Sequence, residues 1–452
     1  MGDRRGIRIG MGALAISGLM ALGACAPGTG VVGGAGAQAG QAGSGHGTVK
    51  MVLWPGPEGD AMQKVVDAYN AGQGKTDQIT VDMTLLSRQD TFSKESTLMA
   101  AKSADQDIYF VASYNVGQYA PSLDPVTDID TSAYFPVAVD GLKYQGQLYA
   151  MPLDVSNHFL LYRKDLVDAL LADTAGRPAY RQVAQQAIGE ARDPKPADHW
   201  DWKDFVAMSA WFSKSANPGS PTTYGTVLQA KNLLYNTMIW DDILWGEGGS
   251  WTKDDKAALT SDAARTAVNV YRTIYTKGWT SPDSSQAEFP ETQAALKAGN
   301  AAFAVQWSAG FAELNDPTKS PQVAGKIAIA PVPGQKTHVH ALAVALNKYS
   351  NNKAAAKKLL AYLATPDAMS QYAQAGGIPA MPKVLEKDAS TNPAFTQIAE
   401  SVDKYGYSVP VFPQTFQAYS KIAESLSGAW VGQGDVDTAL KSASDELQQL
   451  LG

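Results

Sequence analysis

Ten tryptophans and nineteen tyrosines stand beside twelve phenylalanines in this 452-residue chain, so rings with a polar handle dominate its aromatic set. Such rings can cover C–H faces, while carboxylates, amides and arginines bond hydroxyls; holding a polyhydroxylated ring such as a pyranose takes both. Position matters more than number. Trp54 ends the run VKMVLW, and Glu58 lies on the loop behind it. Tyr114 and Asn115 follow DIYFVAS, and Trp307 follows AAFAVQ, with Ser308, Ala309 and Gly310 leaving its ring face uncrowded. Trp240 and Trp245 flank Asp241 and Asp242 on one helical segment. Five residues turn a helix by about 500°, which leaves the two indoles about 140° apart. One should enter the core; Trp240 is assigned to a cleft, with Asp241 beside it. Each tryptophan carries a competing reading as plain core, and Asp241 and Asp242 a competing one as solvated helix charges.

Other chemistries are less well supplied. A glycosidase needs two carboxylates on opposite sides of the scissile bond. Asp241, Asp242 and Glu247 all sit on one helix or at its end, and no Gly-x-Ser-x-Gly elbow occurs. A secreted carbohydrate-active hydrolase is therefore the alternative reading, and an enzyme is not expected. His338 and His340 alternate on a strand and share a face, but no further zinc ligand lies nearby in sequence. Neither a metal nor a cofactor is expected. The lone cysteine, Cys25, excludes an internal disulfide and a Cys-based zinc site.

The elements that must position these residues alternate. VKMVLW (49–54), ITVDMTLL (79–86) and DIYFVAS (107–113) read as buried strands, with helices over 61–72 and about 90–102 between them. That order predicts βαβ units and a parallel sheet, whose ligands sit at the carboxyl ends of the strands. A strand runs into a helix over 158–172, and 173–200 reads as a polar surface insertion. Helices follow over 201–213, with Asp201 as N-cap, 233–249, and 260–278, with Ser261 as cap. Residues 292–308 give a helix, a turn and the strand AAFAVQW. GKIAIAPVPG (325–334) and HVHALAVAL (338–346) are further strands, and helices follow over 352–364, 366–375, 415–427 and 435–451.

Composition bounds the rest. With 45% hydrophobic residues, 18% charged and a net charge of −7, the chain can bury a large core and lacks the basic footprint of a nucleic-acid binder. A short positive start (Arg4, Arg5, Arg8) precedes an uncharged stretch from Ile9 to Ala24, which fits a signal peptide over 1–24 better than a membrane span. Leu22-Gly23-Ala24-Cys25 is similar to the lipobox of bacterial lipoproteins, whose cysteine is lipidated; an ordinary signal peptide is the competing reading. Residues 25–48, rich in Gly, Ala, Ser and Gln, read as the lipidated Cys25 followed by a flexible linker, with an r.m.s. reach of about 25 Å.

Placed in order, these pieces resemble family 1 extracellular solute-binding proteins, the carbohydrate-binding receptors of bacterial ABC importers related to maltose-binding protein. The resemblance rests on VKMVLW with its following helix, YQGQLYAMPLDVSNHFLLYRKDL (144–166), WDWKDF (200–205), ALKAGNAAFAVQWSAG (295–310), YSNNKAAAKKLLAYLATPDAMSQYAQAGGIPA (349–380) and GDVDTALKSASDELQQLL (434–451). The chain departs from the pattern at Arg163, where the family has Asn, in the longer insertion at 173–200, and in HVHALA, where the family often has Gly-Gly.

The resemblance implies an α/β, two-lobed periplasmic-binding-protein fold (type II) with a hinge and an interlobe ligand cleft. Lobe one would be 49–154 plus 331–350, and lobe two 156–328 plus 352–452. Hinges would fall near Asp154–Asn157, Ile327–Val332 and Tyr349–Lys353. Trp54, Trp307 and Tyr419 would match cleft aromatics, Glu58 a polar ligand contact, Asp154 a hinge residue beside the cleft, with a turn or inter-lobe hydrogen bond as its competing reading, and Gly376-Gly377 a backbone turn next to it. The expected partners are a small-molecule carbohydrate and ABC permease subunits. The expected state is an exported monomer, in the periplasm or at the cell surface, held to a membrane by a lipid on Cys25.

Overall fold

The computed structural model describes residues 43–452. The signal peptide, Cys25 and most of the linker lie outside the described residues.

Among the described residues, nine strands form the principal sheet: β1 (Gly47–Leu53), β2 (Ile79–Leu85), β3 (Ile108–Ala112), β4 (Met151–Arg163), β5 (Tyr224–Thr226), β6 (Ala301–Trp307), β7 (Ile327–Ala330), β8 (Thr337–Leu346) and β9 (Gly406–Tyr407). Their order is β2-β1-β3-β8-β4-β6-β5, with β7 paired to β4 and β9 to β8. The parallel β1–β2 and β1–β3 pairs are the βαβ units that the alternation predicts. β1 opens two residues before Val49, inside the segment read as linker.

Two long strands make the sheet continuous. The first half of β4 pairs with β8, as in Val155 with Ala341, and its second half pairs with β6 and β7. The far end of β8 pairs antiparallel with β3, Leu342 with Ala112. β4 and β8 therefore cross between a first lobe built on β1–β3 and a second built on β5–β7. β8 is buried along its whole length, which its run of Ala, Val and Leu requires.

The crossing places differ from expectation at two of three points. Residues 331–336 stay with the second lobe, where the Gly334 N–H donates to the Trp200 carbonyl at 3.2 Å. The crossing follows within β8. The Tyr349–Lys353 segment is no hinge. Asn352 donates to the Thr48 carbonyl at 2.8 Å, Lys353 pairs with Asp124 at 2.7 Å, and Tyr362 packs on Tyr69 with centroids 4.8 Å apart. Helices Lys353–Leu363 and Pro366–Gln374 thus cover the first lobe, not the second. The third strap is Ile378–Ala380. There Ile378 N–H donates to Asp154 Oδ2 at 2.8 Å, and Ala380 N–H to the Leu153 carbonyl at 3.0 Å.

Local chemistry sets the helix ends. Asp201 and Asp204 form a reciprocal capping box, and Ser261 accepts from the Ala264 N–H. The first helix, Pro57–Ala71, starts earlier than expected because Pro57 fits a first helical turn. The insertion contains a helix, Arg177–Ile188, whose Tyr180 is buried against Trp211. Helix Ala394–Tyr405 was not foreseen; its Phe395, Ile398 and Val402 are buried.

Candidate functional site

A cleft of about 740 Å³ opens between the lobes. The first lobe contributes the Pro55–Glu58 loop and Arg88; the second contributes Gln229, Tyr235, Phe289 and the Trp307–Phe311 turn. Ser156, His340 and Leu342, on the crossing strands, line it between the lobes, with Gly376 and Ile378 from the strap.

Trp307 ends β6, where the register sets it opposite His158. The His158 imidazole meets the indole edge-on at 4.2 Å, and His340 approaches it at 5.6 Å. The Ser308 N–H donates to the Asn157 carbonyl at 2.8 Å and fixes the turn that follows. Backed in this way and only partly buried, the indole is a supported ring bordering the cleft.

Glu58 also lies where expected, but Trp54 does not. The Trp54 ring is buried against Phe110 at 4.3 Å, and its Nε1–H donates to Glu58 Oε1 at 2.7 Å. Its part is to hold the carboxylate that reaches the cleft. The first turn of the helix Pro57–Ala71 packs tightly behind this pair: a Cβ on Gly59 would lie 2.0 Å from the Trp54 carbonyl oxygen, so only glycine fits. Arg88 lies above the same indole at 4.7 Å.

Most other expected site residues are structural. Tyr114 is buried among Phe92, Phe416 and His340. Asn115 accepts from the Ala112 N–H at 2.8 Å and closes a turn. Asp154 accepts from Tyr372 Oη–H at 2.9 Å as well as from Ile378, and staples the strap. Burial, with Glu58 adding to it, pushes its carboxyl up to about 7. Gly377 packs on Tyr372, where a Cβ would enter the ring at 2.1 Å; its neighbour Gly376 lines the cleft.

The helix Leu234–Gly246 reverses one assignment and removes another. Trp240 is fully buried near Trp430, while Trp245 stacks on Tyr407 at 4.6 Å; neither lines the cleft. Asp241 accepts from Trp251 Nε1–H at 2.8 Å in the core, and burial raises its carboxyl well above the usual range. Tyr419 is fully buried against Trp251 at 4.4 Å. These residues belong to the second lobe's core because the helix is apolar on nearly every face.

Arg88, Tyr235, Gln229 and Ser156 were missed. Gln229 and Gln306 bond side chain to side chain at 2.9 Å behind the cleft wall. The carboxylates along the cleft are compensated: Glu58 by Arg88 at 3.9 Å, Glu288 by Lys231 at 3.5 Å, and Glu313 by Lys297. Among the described residues no group of three or more His, Cys, Asp or Glu is arranged to hold a metal. The site is a cleft with an aromatic ring and polar side chains on its walls and little uncompensated negative charge.

The family model for bacterial extracellular solute-binding proteins matches residues 64–397. The chain is similar to a probable amino-acid ABC transporter periplasmic-binding protein of Sinorhizobium fredii, 28% identical over 222 residues, 48% of each sequence. It thus spans about half the length of that relative. Its fold is similar to that of maltose-bound MalE3 of T. maritima, at 21% identity and a TM-score of 0.73, over 89% of this chain and 99% of the other. It is also similar to the ribitol complex of an ABC transporter solute-binding protein from Agrobacterium radiobacter, at 19% identity and a TM-score of 0.71, over 91% and 100% of the two chains.

Proposed function

The chain belongs to the bacterial extracellular solute-binding protein family, and on that premise we propose that it captures a carbohydrate or sugar alcohol outside the cytoplasmic membrane and delivers it to an ABC permease. The observation that carries the solute class is the cleft itself. Trp307 offers a ring backed by His158, and the cleft carboxylates are matched by cations. Such a wall suits an uncharged, polyhydroxylated ligand, with C–H faces for the indole and hydroxyls for Glu58, Gln229 and Ser156. The maltose and ribitol held by proteins of similar fold support the same class. The name of the Sinorhizobium relative raises an amino acid instead. The ammonium of such a ligand needs a free carboxylate, whereas Glu58, Glu288 and Glu313 already face Arg88, Lys231 and Lys297.

The hydrolase alternative finds no support: Asp241 and Asp242 are buried and held by Trp251, His158 and Tyr407. Export by the N-terminal signal, lipid anchoring through Cys25 and action as a monomer complete the reading.

A thermal-shift panel tests it. A ligand that binds only the native state at about 100 times its Kd stabilises by about 2.7 kcal/mol. Maltose, ribitol, mannitol and oligosaccharides are set against amino acids. A melting shift with a member of the first group supports the reading; shifts with amino acids alone overturn it.

A further inference from the structure

The guanidinium carbon of Arg88 lies 4.7 Å from the ring centroid of Trp54 and 4.7 Å from that of Tyr235. The two rings belong to different lobes. Trp54 follows β1, and Tyr235 opens the helix Leu234–Gly246, which packs with helices Asp262–Thr276 and Thr415–Trp430 of the second lobe. We propose that Arg88 is a cross-cleft clamp, a first-lobe cation that grips an aromatic ring of the second lobe and favours the closed arrangement before any ligand arrives.

The argument rests on which contacts can break. Trp54 is immobile: it is buried, packed on Phe110 and Phe92, and bonded to Glu58. Arg88 is tied to the same lobe. It sits in the first turn of the helix Arg88–Ala100, whose N-cap Ser87 accepts from the Asp90 N–H at 3.2 Å, and Glu58 lies 3.9 Å from its guanidinium. Tyr235 is the partner that must leave when the lobes part. A cation against one aromatic face shifts an equilibrium by about two- to thirty-fold, depending on how dry the contact is. Because apparent affinity scales with the fraction of binding-competent protein, the clamp raises affinity for whatever solute the cleft accepts.

Only the two-lobed fold is required, not the identity of the solute, so the test uses ligand-free protein. Small-angle scattering compares the wild type with R88A, Y235A, the double variant, and the conservative R88K and Y235F. The clamp requires R88A and Y235A each to expand the radius of gyration and the double variant to expand it no further. Y235F, which keeps the ring, should stay close to wild type, and R88K, which keeps the charge, should recover part of the compaction. An unchanged radius in folded Y235A overturns the proposal, including the case in which R88A alone expands, because Arg88 then acts within its own lobe. If R88A does not fold, Y235A and Y235F decide.

Discussion

His158 Nδ1 lies 2.7 Å from Asp242 Oδ2 with both side chains fully buried, and the same imidazole stands edge-on to Trp307 at 4.2 Å. A carboxylate in the core of the second lobe therefore orients the ring that backs the cleft's tryptophan. Asp242 does more than this: its Oδ1 accepts from the His338 N–H at 2.7 Å and from Tyr407 Oη–H at 3.0 Å. It thereby fixes β8 and β9 where they meet the second lobe.

Asp242→Ala should consequently be severe. It strands a buried imidazole, a backbone N–H and a phenol at once, and removing one partner of such a set costs about 3–5 kcal/mol. Asp242→Asn keeps the size and part of the bonding and should cost less. Urea denaturation of the two variants checks the order; equal and small losses would show that the network contributes little.

Stability should fall as pH rises from about 6.5 to 8. His338 and His340 are held well below the ordinary imidazole value, first by burial and then by neighbouring basic side chains, His158 and His340 for the former and Arg88 and His158 for the latter. The unfolded chain then binds more protons below about pH 6.5, so this contribution is full above that value and is lost as pH falls. Glu95, pushed up to about 8 by burial, and Asp154, up to about 7, act oppositely. The folded state holds their protons longer, so that contribution is full below about pH 4 and is lost as pH rises toward 7 and 8. Melting temperatures should fall from about pH 6.5 to 8, where the histidine contribution is constant and the carboxyl contribution is being lost; a flat profile there would show that these carboxyls do not titrate in that range.

Glu95→Gln isolates the alkaline limb. Glu95 Oε1 accepts from the Phe110 N–H at 2.8 Å, a bond that an amide oxygen can keep. The variant should be more stable than wild type at pH 8, by about 1–3 kcal/mol, and near wild type at pH 5. A wild-type slope between pH 5 and 8 would show that Glu95 does not titrate there.

Much of the fold was legible because its signals are local. The alternating strands, the Asp201 and Ser261 caps and the glycine stops are written in neighbouring residues. Helix Ala394–Tyr405 was missed although Phe395, Ile398 and Val402 carry its spacing, because the proline- and glycine-bearing stretch before it masks the period. The site was harder. A position in a pattern fixes where a backbone passes, not where its side chain points. Trp240 packs in the core, Trp245 stacks half-buried on Tyr407, and Trp54 turns inward to hold Glu58. Arg88 carried no signal of its own, since its two aromatic partners come from distant segments that only the closed sheet brings together. The allocation of residues 352–375 failed for a similar reason, because a helix following a crossing strand can return to either lobe.

Cys25→Ser tests the proposed anchor. With the thiol gone, a lipoprotein loses its acyl attachment, and the exported chain should move from the membrane fraction to the soluble fraction. Fractionation followed by immunoblotting reads this directly. A variant that stays membrane-bound to the same extent removes the lipid-anchor reading and leaves the cleft untouched.

Trp307 and Trp54 should part company when each is truncated. Trp307 is partly exposed on the cleft, with His158 on its edge; Trp54 is buried beneath Arg88. A ring stacked on a sugar face excludes water and gains dispersion worth about 1–3 kcal/mol, or about 5–150-fold in affinity. A buried indole replaced by alanine leaves a cavity that costs about 3–5 kcal/mol of stability. Trp307→Ala should therefore weaken binding of the sugar that scores in the thermal panel while keeping most of the ligand-free melting temperature. Trp54→Ala should lower that melting temperature strongly, and should weaken binding as well because Glu58 loses its donor. Calorimetric titration paired with melting curves separates the two. A collapsed melting temperature for Trp307→Ala, or an affinity it leaves unchanged, would mean that this indole is core and that the ligand rests elsewhere in the cleft.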